Sequence, residues 1–363
     1  MLRSFRMSSK PTALVAMSGG VDSSVAACLL AEAGYEVMGS HLRLVHGEGL
    51  DHGCCGPTAE RDAREVAETA DFPFEVVDLT DVFEERVVSD YVAELEAGRT
   101  PNPCVRCNER IKFGAFLERA RALGADFVAT GHYVRTVRDG DGRWHLHRGA
   151  DPSKDQSYVL HMLGQEELSR SLFPVGSLPK EQTREHARRF GLAVAGKPDS
   201  QELCFAPAGE AQAFAAERAP HLARAGEVVD PSGQVLGVHE GAYRYTIGQR
   251  RGLGVSAPER SYVVDLDAAA NRVVVGPAEL LSRRGLTAER VNWIAGRPEE
   301  PFEAEVKIRY RGDPASAVVV PGPARSATVE FRTPQRAVAP GQSVVFYSGD
   351  EVVGGGTITS AAR

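Results

Sequence analysis

Two stretches hold residue types that can do phosphoryl or covalent chemistry. One is Ser18-Gly19-Gly20-Val21-Asp22-Ser23-Ser24. The other is TPNPCVRCNERIKF, Thr100 to Phe113, with Cys104 and Cys107 in C-x-x-C spacing. Glycines let backbone N–H groups approach an anion, the hydroxyls of Ser18, Ser23 and Ser24 can bond phosphate oxygens, and Asp22 can hold a Mg²⁺ that bridges them. The loop has neither the lysine of a G-x-x-x-x-G-K-[ST] loop nor the G-x-G-x-x-G of a dinucleotide loop. Its bland alternative is a plain strand–helix turn. The cysteine pair alone leaves three readings open: half of a zinc site, a redox dithiol, or the home of one nucleophilic thiol. Placed on the loop opening the NERIKF helix, with Arg106 and Arg110 nearby, a Cys107 thiolate gains from the helix N-terminus.

These residues need elements to hold them. Ala13 to Met17 is a short apolar run, as in a buried parallel strand. Val21, Val25, Cys28 and Leu29 mark one face of the helix that follows, and Gly34 its stop. Cys28 on that face reads as core. AERDAREVAETA, Thr80 to Ala97 and NERIKFGAFLERARALGA read as helices; FEVVDL and DFVATGHY read as strands. The last helix puts Ile111, Phe113, Phe116, Leu117 and Ala120 largely on one side. Strands alternating with helices of this length predict a parallel α/β sheet. Gly131 then lies at the carboxyl end of a strand, where a nucleotide sits, and His132 either contacts the reacting base or phosphate or is a structural histidine. RTVRDGDGRWHLHRGAD reads as a hairpin turning at DGDG. Lys154, Asp155 and Gln156 after it read either as a helix cap or as a polar cluster touching RNA or ATP.

With 363 residues the chain spans two or three domains. No apolar run approaches the ~20 residues of a membrane span. The basic leader MLRSFRMSSK has no apolar core, so it is not a secretory signal, and Met7 is an alternative start. Nothing in these features points away from the cytoplasm, which is the expected location. There its six cysteines, at 28, 54, 55, 104, 107 and 204, are metal ligands, catalytic thiols or core rather than disulfide staples. The net charge of −7 excludes a wholesale nucleic-acid coat but leaves room for local basic patches.

SGGVDSS resembles the loop of the pyrophosphatase-loop family of ATP users, which cleave ATP between the α and β phosphates and adenylate a carbonyl oxygen. AMSGGVDSSVAA, TPNPCVRCNERIKFGAF, ATGHY, KDQSYVL, DSQELCF and YTIGQRRGLG occur in the order and spacing of the bacterial tRNA-specific 2-thiouridylase family, from about Leu14 to about Gly354. The resemblance implies sulfur-for-oxygen exchange at C2 of the wobble uridine in the tRNA anticodon, using ATP, Mg²⁺ and a cysteine persulfide. It implies a doubly wound catalytic domain over residues 11–205, a small central domain over 206–285 and a C-terminal β-barrel over 286–360. It implies Cys107 as nucleophile and Cys204 as persulfide carrier, with Asp22 in the catalytic set. Nucleotide contacts then fall on Ala16, Met17, Ser18, Gly19, Gly20, Val21, Asp22, Ser23, Leu42 and Gly131. Contacts to tRNA fall on Asn102, Pro103, Cys104, His132, Lys154, Asp155, Gln156, Arg309, Tyr310 and Gln342. A sulfur-donor protein upstream and a monomeric, membrane-free enzyme complete the expectation.

The chemistry asks for the same parts. Adenylating the C2 oxygen of uridine turns it into a leaving group, and two thiols that can meet carry the sulfur and split its S–S bond. Some members of the family have Asp where Cys104 stands. That leaves Cys104 as a bystander or base contact, as a sulfur-handling or resolving thiol, or as a metal or iron–sulfur ligand with Cys107 and Cys204; a cluster is possible but not expected.

Beyond Phe205 the composition changes. An Ala-rich helical insertion leads into hairpins at GEVVDPSGQVLG and SYVVDLDAAANRVVVG. YTIGQRRGLG between them is a basic, glycine-punctuated loop that can contact phosphate. From about Leu286, FEAEVKIRYRG, ASAVVVPG and the strands after them predict a small barrel. There Arg309 can pair a phosphate and Tyr310 can stack a base; otherwise both are simply strand residues. Two rivals remain: a small-molecule synthetase sharing only the Ser18–Ser24 loop, and a zinc-stabilised RNA-binding module.

Overall fold

The computed structural model describes residues 10–45, 56–199, 205–206, 211–254 and 261–362. Met7, Cys54, Cys55 and Cys204 lie outside the described residues. The described chain divides into two units. Unit one comprises residues up to 87, 104–208 and 350–352; unit two comprises 88–103, 209–349 and 353 onward.

In unit one, β1 (Thr12–Ala16) runs into a loop and α1 (Val21–Glu32), followed by β2 (Glu36–Arg43), α2 (Pro57–Thr69) and β3 (Phe74–Asp78). Thr80–Ala97, expected as one helix, is α3 (Thr80–Phe83), a wide π turn (Glu84–Val88) and α4 (Ser89–Glu96), the last in unit two. A second run comprises α5 (Pro103–Cys107), a π stretch (Asn108–Ala115) and α6 (Phe116–Ala122), leading to β4 (Phe127–Ala129). Its expected apolar side is buried: Ile111, Phe113, Phe116, Leu117 and Ala120 are each at most 5% exposed. The hairpin of β5 (Val134–Arg138) and β6 (Trp144–Arg148), α7 (Gln165–Ser169), β7 (Ser171–Leu172) and α8 (Lys180–Arg189) complete the unit.

The sheet is parallel throughout, in the order β3-β2-β1-β4-β7. Chain direction across the sheet reverses between β1 and β4, so their carboxyl ends open a crevice at the switch point of a doubly wound fold. Thr12 and Asp126 tie the opposite ends of these strands. The Thr12 amide and hydroxyl donate to Asp126 Oδ2 at 2.9 and 2.8 Å, and the Asp126 amide donates back to Thr12 Oγ1. The helix α1 is buried more widely than its Val21–Leu29 stripe predicted: Ser24, Ala26 and Ala27 are fully inside as well. Small side chains let neighbours close around it. Cys28 is core as read, and burial together with the Glu32 charge pushes its thiol up to about 11. Gly34 ends the helix region at φ +90°, a conformation that favours glycine.

The β5–β6 hairpin turns at Asp139–Arg143, where Asp139 Oδ1 accepts the amides of Asp141 and Arg143. Glu351 and Val352 extend it by pairing with His147 and Leu146. His145 sits between Glu351 (2.7 Å) and Asp139 (3.1 Å), beside His147, Asp350 and Arg135. The bonds to Glu351 and then Asp139 raise its pKa. A raised folded value means the stabilisation is full below the ordinary histidine value of ~6.5 and disappears as pH rises through the folded value. The melting-temperature gap between wild type and His145→Gln is therefore expected to be widest at acid pH and to close on the alkaline side. Calorimetry across that range checks it, and a gap widening with pH would contradict it.

Unit two carries α9 (Ala211–Arg218) and a four-stranded sheet ordered β10-β11-β8-β9. Its strands are β8 (Gly226–Val229), β9 (Val235–His239), β10 (Tyr262–Asp267) and β11 (Arg272–Gly276). Both expected hairpins form, and β8 lies parallel to β11. The rest is a six-stranded barrel: β12 (Ser282–Trp293), β13 (Phe302–Lys307), β14 (Ala315–Pro321), β15 (Ala327–Arg336), β16 (Ser343–Ser348) and β17 (Glu351–Ala362). The order β12-β15-β14-β13-β16-β17 closes through β12–β17 pairing. Alternation fills it: Ala327, Val329 and Phe331 of β15 point inward with Val319, Val344, Phe346 and Ile358, while Thr328, Glu330 and Arg332 face out. The strand expected over FEAEVKIRYRG stops at Lys307. Arg309 and Tyr310 therefore sit in the turn after β13, where exposed polar side chains are no burden.

Candidate functional site

The loop between β1 and α1 is built around glycines with no room for side chains. Gly19 has φ +63°, and a Cβ there would meet the Ala59 carbonyl oxygen at 2.3 Å. Gly20 is the N-cap, extended, with no side chain to cover the first-turn amides, which leaves them to an anion. Ser23 Oγ accepts the Ser18 amide at 3.1 Å and lies 3.2 Å from Ser18 Oγ. Ser24 does not serve as a phosphate ligand here: it is fully buried, and its hydroxyl donates to the Gly20 carbonyl at 2.9 Å. The partly exposed loop positions are Ser18, Gly20 and Asp22, reached from Ala16 at the end of β1. Val21 and Met17 are buried, and so is Leu42 on the neighbouring strand β2. The main chain of Met17 is taken up by the sheet: its amide donates to the Ser40 carbonyl, and its carbonyl lies 3.1 Å from His41 Nδ1.

Gly131 follows β4 and faces the same helix start. A Cβ on it would lie 2.5 Å from the Ser23 amide nitrogen, so the end of β4 meets the first turn of α1 through a glycine contact. His132 beside it is buried, with Nδ1 2.8 Å from Thr130 Oγ1. Burial, and then the Lys112 charge, hold its pKa well below the ordinary histidine range, so the ring is neutral. A neutral ring can exchange hydrogen bonds with a base but brings no charge to a phosphate.

Asp22 is the centre of a cluster that has no local sequence signal. Lys180, the first residue of α8, donates to Asp22 Oδ1 at 2.7 Å and Oδ2 at 2.8 Å. Tyr133 donates to Asp22 Oδ1 at 2.7 Å, and its hydroxyl also bonds Thr183. Burial, then the Asp22 charge, push the Tyr133 hydroxyl far up, so it stays a proton donor. Lys180 also reaches Asp199 at 2.7 Å, where Lys154 (2.9 Å) and Arg184 (3.4 Å) converge. Burial would raise the Asp199 pKa, but the bonds from Lys180 and Lys154 outweigh it and the pKa is lowered. Lys197 touches the loop from another side, 3.0 Å from the Gly19 carbonyl and 2.6 Å from Asp62.

The KDQ triplet is a brace. Lys154 holds Asp199; Asp155 accepts the amides of Gly149 and Ser157 and the Ser157 hydroxyl; Gln156 Oε1 accepts the Tyr133 amide at 2.9 Å. Asp155 therefore organises a turn rather than capping an α-helix.

Cys107 is not on a loop before a helix, as expected, but at the end of α5, running directly into the π stretch. The first turn belongs to Pro103 and Cys104, so the amide field expected at Cys107 acts one turn earlier. Arg106 pairs with Glu109 at 2.7 Å and Arg110 donates to the Arg86 carbonyl, so both cations already serve those partners. Cys107 is buried and Cys104 is exposed. Beside Cys107, Asn108 is 2% exposed, and its Nδ2 donates to the Val159 carbonyl. The wide turn itself is tight at Gly114, whose Cβ would sit 3.1 Å from the Glu109 carbonyl. Such π stretches recur at functional sites. Phe83 of α3, an element packed on that stretch, lies 5.7 Å between ring centroids from Phe205, the residue after Cys204. Among the described residues no three His, Cys, Asp or Glu side chains form a metal-ligand group.

In unit two, Gln342 Nε2 donates to the Thr100 carbonyl (2.9 Å) and lies 3.4 Å from that of Pro101. The Thr100 amide in turn donates to the Pro340 carbonyl, and Arg99 grips Glu94 with two bonds. Gln342 thus holds the chain just before Asn102 and Pro103. Arg309 donates to the carbonyls of Arg336 and Ala337, and Tyr310 is exposed with Lys307 Nζ 5.9 Å from its ring centre.

Residues 11–208 match the tRNA methyl transferase HUP domain, 213–277 the tRNA methyl transferase PRC-barrel domain, and 283–358 the aminomethyltransferase β-barrel domain. The tRNA-specific 2-thiouridylase MnmA of Geobacter metallireducens is 50% identical to this chain, covering 96% of each sequence. That of Geotalea uraniireducens is 49% identical over 96% of this chain and 95% of its own length. That of Heliobacterium modesticaldum is 51% identical over 96% and 92%. With three family domains in sequence and this identity along nearly its whole length, the chain belongs to the tRNA-specific 2-thiouridylase family.

Proposed function

We propose that the chain is an ATP-dependent tRNA sulfurtransferase that converts the wobble uridine of tRNA to 2-thiouridine. The uridine C2 oxygen attacks the α phosphorus of ATP and pyrophosphate leaves with the electron pair of the broken P–O bond. The terminal sulfur of a Cys204 persulfide attacks C2, and AMP departs with the oxygen. The Cys107 thiolate attacks the inner sulfur, leaving the thiocarbonyl on the base and a Cys107–Cys204 disulfide, which a thiol reductant reopens. Ser18 to Ser23 and Gly131 hold the phosphates. Mg²⁺ would be held by Asp22 and the partly exposed Ser18 hydroxyl, since it takes one or two carboxylates and keeps to phosphate oxygens. Asn102, Pro103 and Cys104 face the target base; His132, Lys154 to Gln156, Arg309, Tyr310 and Gln342 carry or brace the tRNA contacts. A donor protein loads Cys204, and the enzyme works in the cytoplasm as a monomer.

The observation that carries this reading is the pairing of two sites in unit one. An uncovered helix start lies at the sheet's switch point, and Cys107 runs into the π stretch on which α3 packs, whose Phe83 meets Phe205, the residue after Cys204. A thiolation assay with ATP, Mg²⁺, a sulfur donor and unmodified tRNA, read by thiol-retarded gel mobility, tests it. Cys104→Ser is expected to keep activity within about threefold of wild type, since an exposed surface side chain is replaced by its near-isostere. Release of pyrophosphate without any dependence on tRNA would instead favour a small-molecule synthetase. Loss of activity in Cys104→Ser, with iron or zinc in wild type only, would make the pair ligands.

A further inference from the structure

The loop that should cradle ATP contributes an anion and no cation. Its one charged residue is Asp22, in the first turn of α1. A bare carboxylate there would oppose a triphosphate. The fold supplies the missing charge from elsewhere. Lys180 arrives from a position 158 residues later, nearly buried, with its ammonium group on both Asp22 oxygens and on Asp199. Lys197 arrives 178 residues after Gly19 and bonds its carbonyl, its charge shared with Asp62 at 2.6 Å, which makes it the weaker of the two. Around Lys180, three cations (Lys154, Lys180 and Arg184) face three carboxylates (Asp22, Asp199 and Asp151, the last accepting the Lys180 amide), so the cluster is charge-balanced beside an open helix start, and Lys180 is the cation in it that reaches the loop.

We propose that Lys180 and Lys197 are the phosphate-neutralising residues of this site, and that Lys180 exchanges Asp22 for the phosphates when ATP binds. The proposal rests on the ATP-using reading above and names residues that carry its first step. In that step a bond forms between the uridine oxygen and the α phosphorus, the bridging P–O bond breaks, and its electron pair stays on pyrophosphate. The two ammonium groups stabilise that charge; a buried ammonium–phosphate contact is a strong, charge-assisted one. Tyr133 keeps Asp22 in place as Lys180 leaves, because its own bond to Oδ1 is independent of the lysine. Asp22, no longer paired with Lys180, would then be the carboxylate able to hold a Mg²⁺ that accompanies the nucleotide.

Titration calorimetry on the full chain with Mg²⁺ tests this without tRNA, using α,β-methylene-ATP, inorganic pyrophosphate and adenosine. Lys180→Met is expected to weaken α,β-methylene-ATP and pyrophosphate by about tenfold to a hundredfold, and to leave adenosine within about twofold. Lys197→Met should do the same more weakly, and Lys180→Arg should recover part of the loss. Wild-type affinity for pyrophosphate in a folded Lys180→Met overturns the proposal. If Lys180→Met loses adenosine binding too, the lysine is a structural clamp, and Lys197→Met decides: unchanged pyrophosphate affinity again overturns it. Failure of wild type itself to bind α,β-methylene-ATP is a different result and overturns the ATP-using reading.

Discussion

Replacing Cys107 by serine is expected to reduce thiolation of tRNA by on the order of a thousandfold or more, the scale that follows removal of a covalent nucleophile. The hydroxyl has nearly the shape of the thiol, but at neutral pH it does not ionise to attack a persulfide sulfur. ATP binding should be unchanged, because the nucleotide elements proposed above are the Ser18–Ser23 loop and Gly131. Cys107 is buried, so a small loss of stability from enclosing a hydroxyl is expected, about 1–3 kcal/mol at most. Gel retardation, ATP titration and a thermal melt on the same preparation separate these effects. Thiolation retained in Cys107→Ser would remove the two-thiol mechanism and leave Cys104 as the alternative resolving group.

Gly131→Ala is expected to damage the nucleotide site through packing alone. The added methyl would stand 2.5 Å from the Ser23 nitrogen, 2.7 Å from the Asp22 carbonyl carbon and 2.9 Å from the Ser23 Cα. These are backbone atoms of the first turn of α1, so relief requires moving that turn away from β4. Overpacking of this kind costs about 1–3 kcal/mol. The same shift misdirects the amides and Asp22, so ATP affinity should fall by at least about tenfold, or some 1.4 kcal/mol. Gly34→Ala is the comparison: no atom lies within 4 Å of its would-be Cβ, but φ is +90°. It should cost about 1–2 kcal/mol of stability through backbone strain and leave ATP affinity alone. Urea denaturation with ATP titration distinguishes the pair. Equal ATP affinity in Gly131→Ala and wild type would show that the strand-end glycine does not shape the site.

Lys180 and Gly131 both act on the first turn of α1. Gly131 sets how closely β4 approaches it, and Lys180 sets its charge. The His145 cluster, at the far edge of the hairpin, makes the pH dependence of stability a property of the scaffold rather than of this site.

Features encoded by short-range physics were legible in the order of residues alone. An apolar run, a glycine break and an apolar helical face specified β1, the loop and α1, because each signal is complete within about one element length. The DGDG turn specified the β5–β6 hairpin, and alternation in β15 specified which side chains fill the barrel. The motifs of the cysteine helix were visible too, but not its geometry. Helical periodicity does not announce a π stretch, so Cys107 was expected at a helix start and stands one turn in. The remaining contacts follow from long-range packing. The Lys180–Asp22 contact joins residues 158 apart, and the Gln342–Thr100 contact joins residues 242 apart. Lys180 reads locally as an ordinary first-turn lysine of a polar helix, and Gln342 as part of a glycine turn. Their partners come from the order in which a doubly wound sheet and a closed barrel bring distant strand ends together. That order depends on which strands pair, and pairing is set by burial of whole faces rather than by any local run of residues.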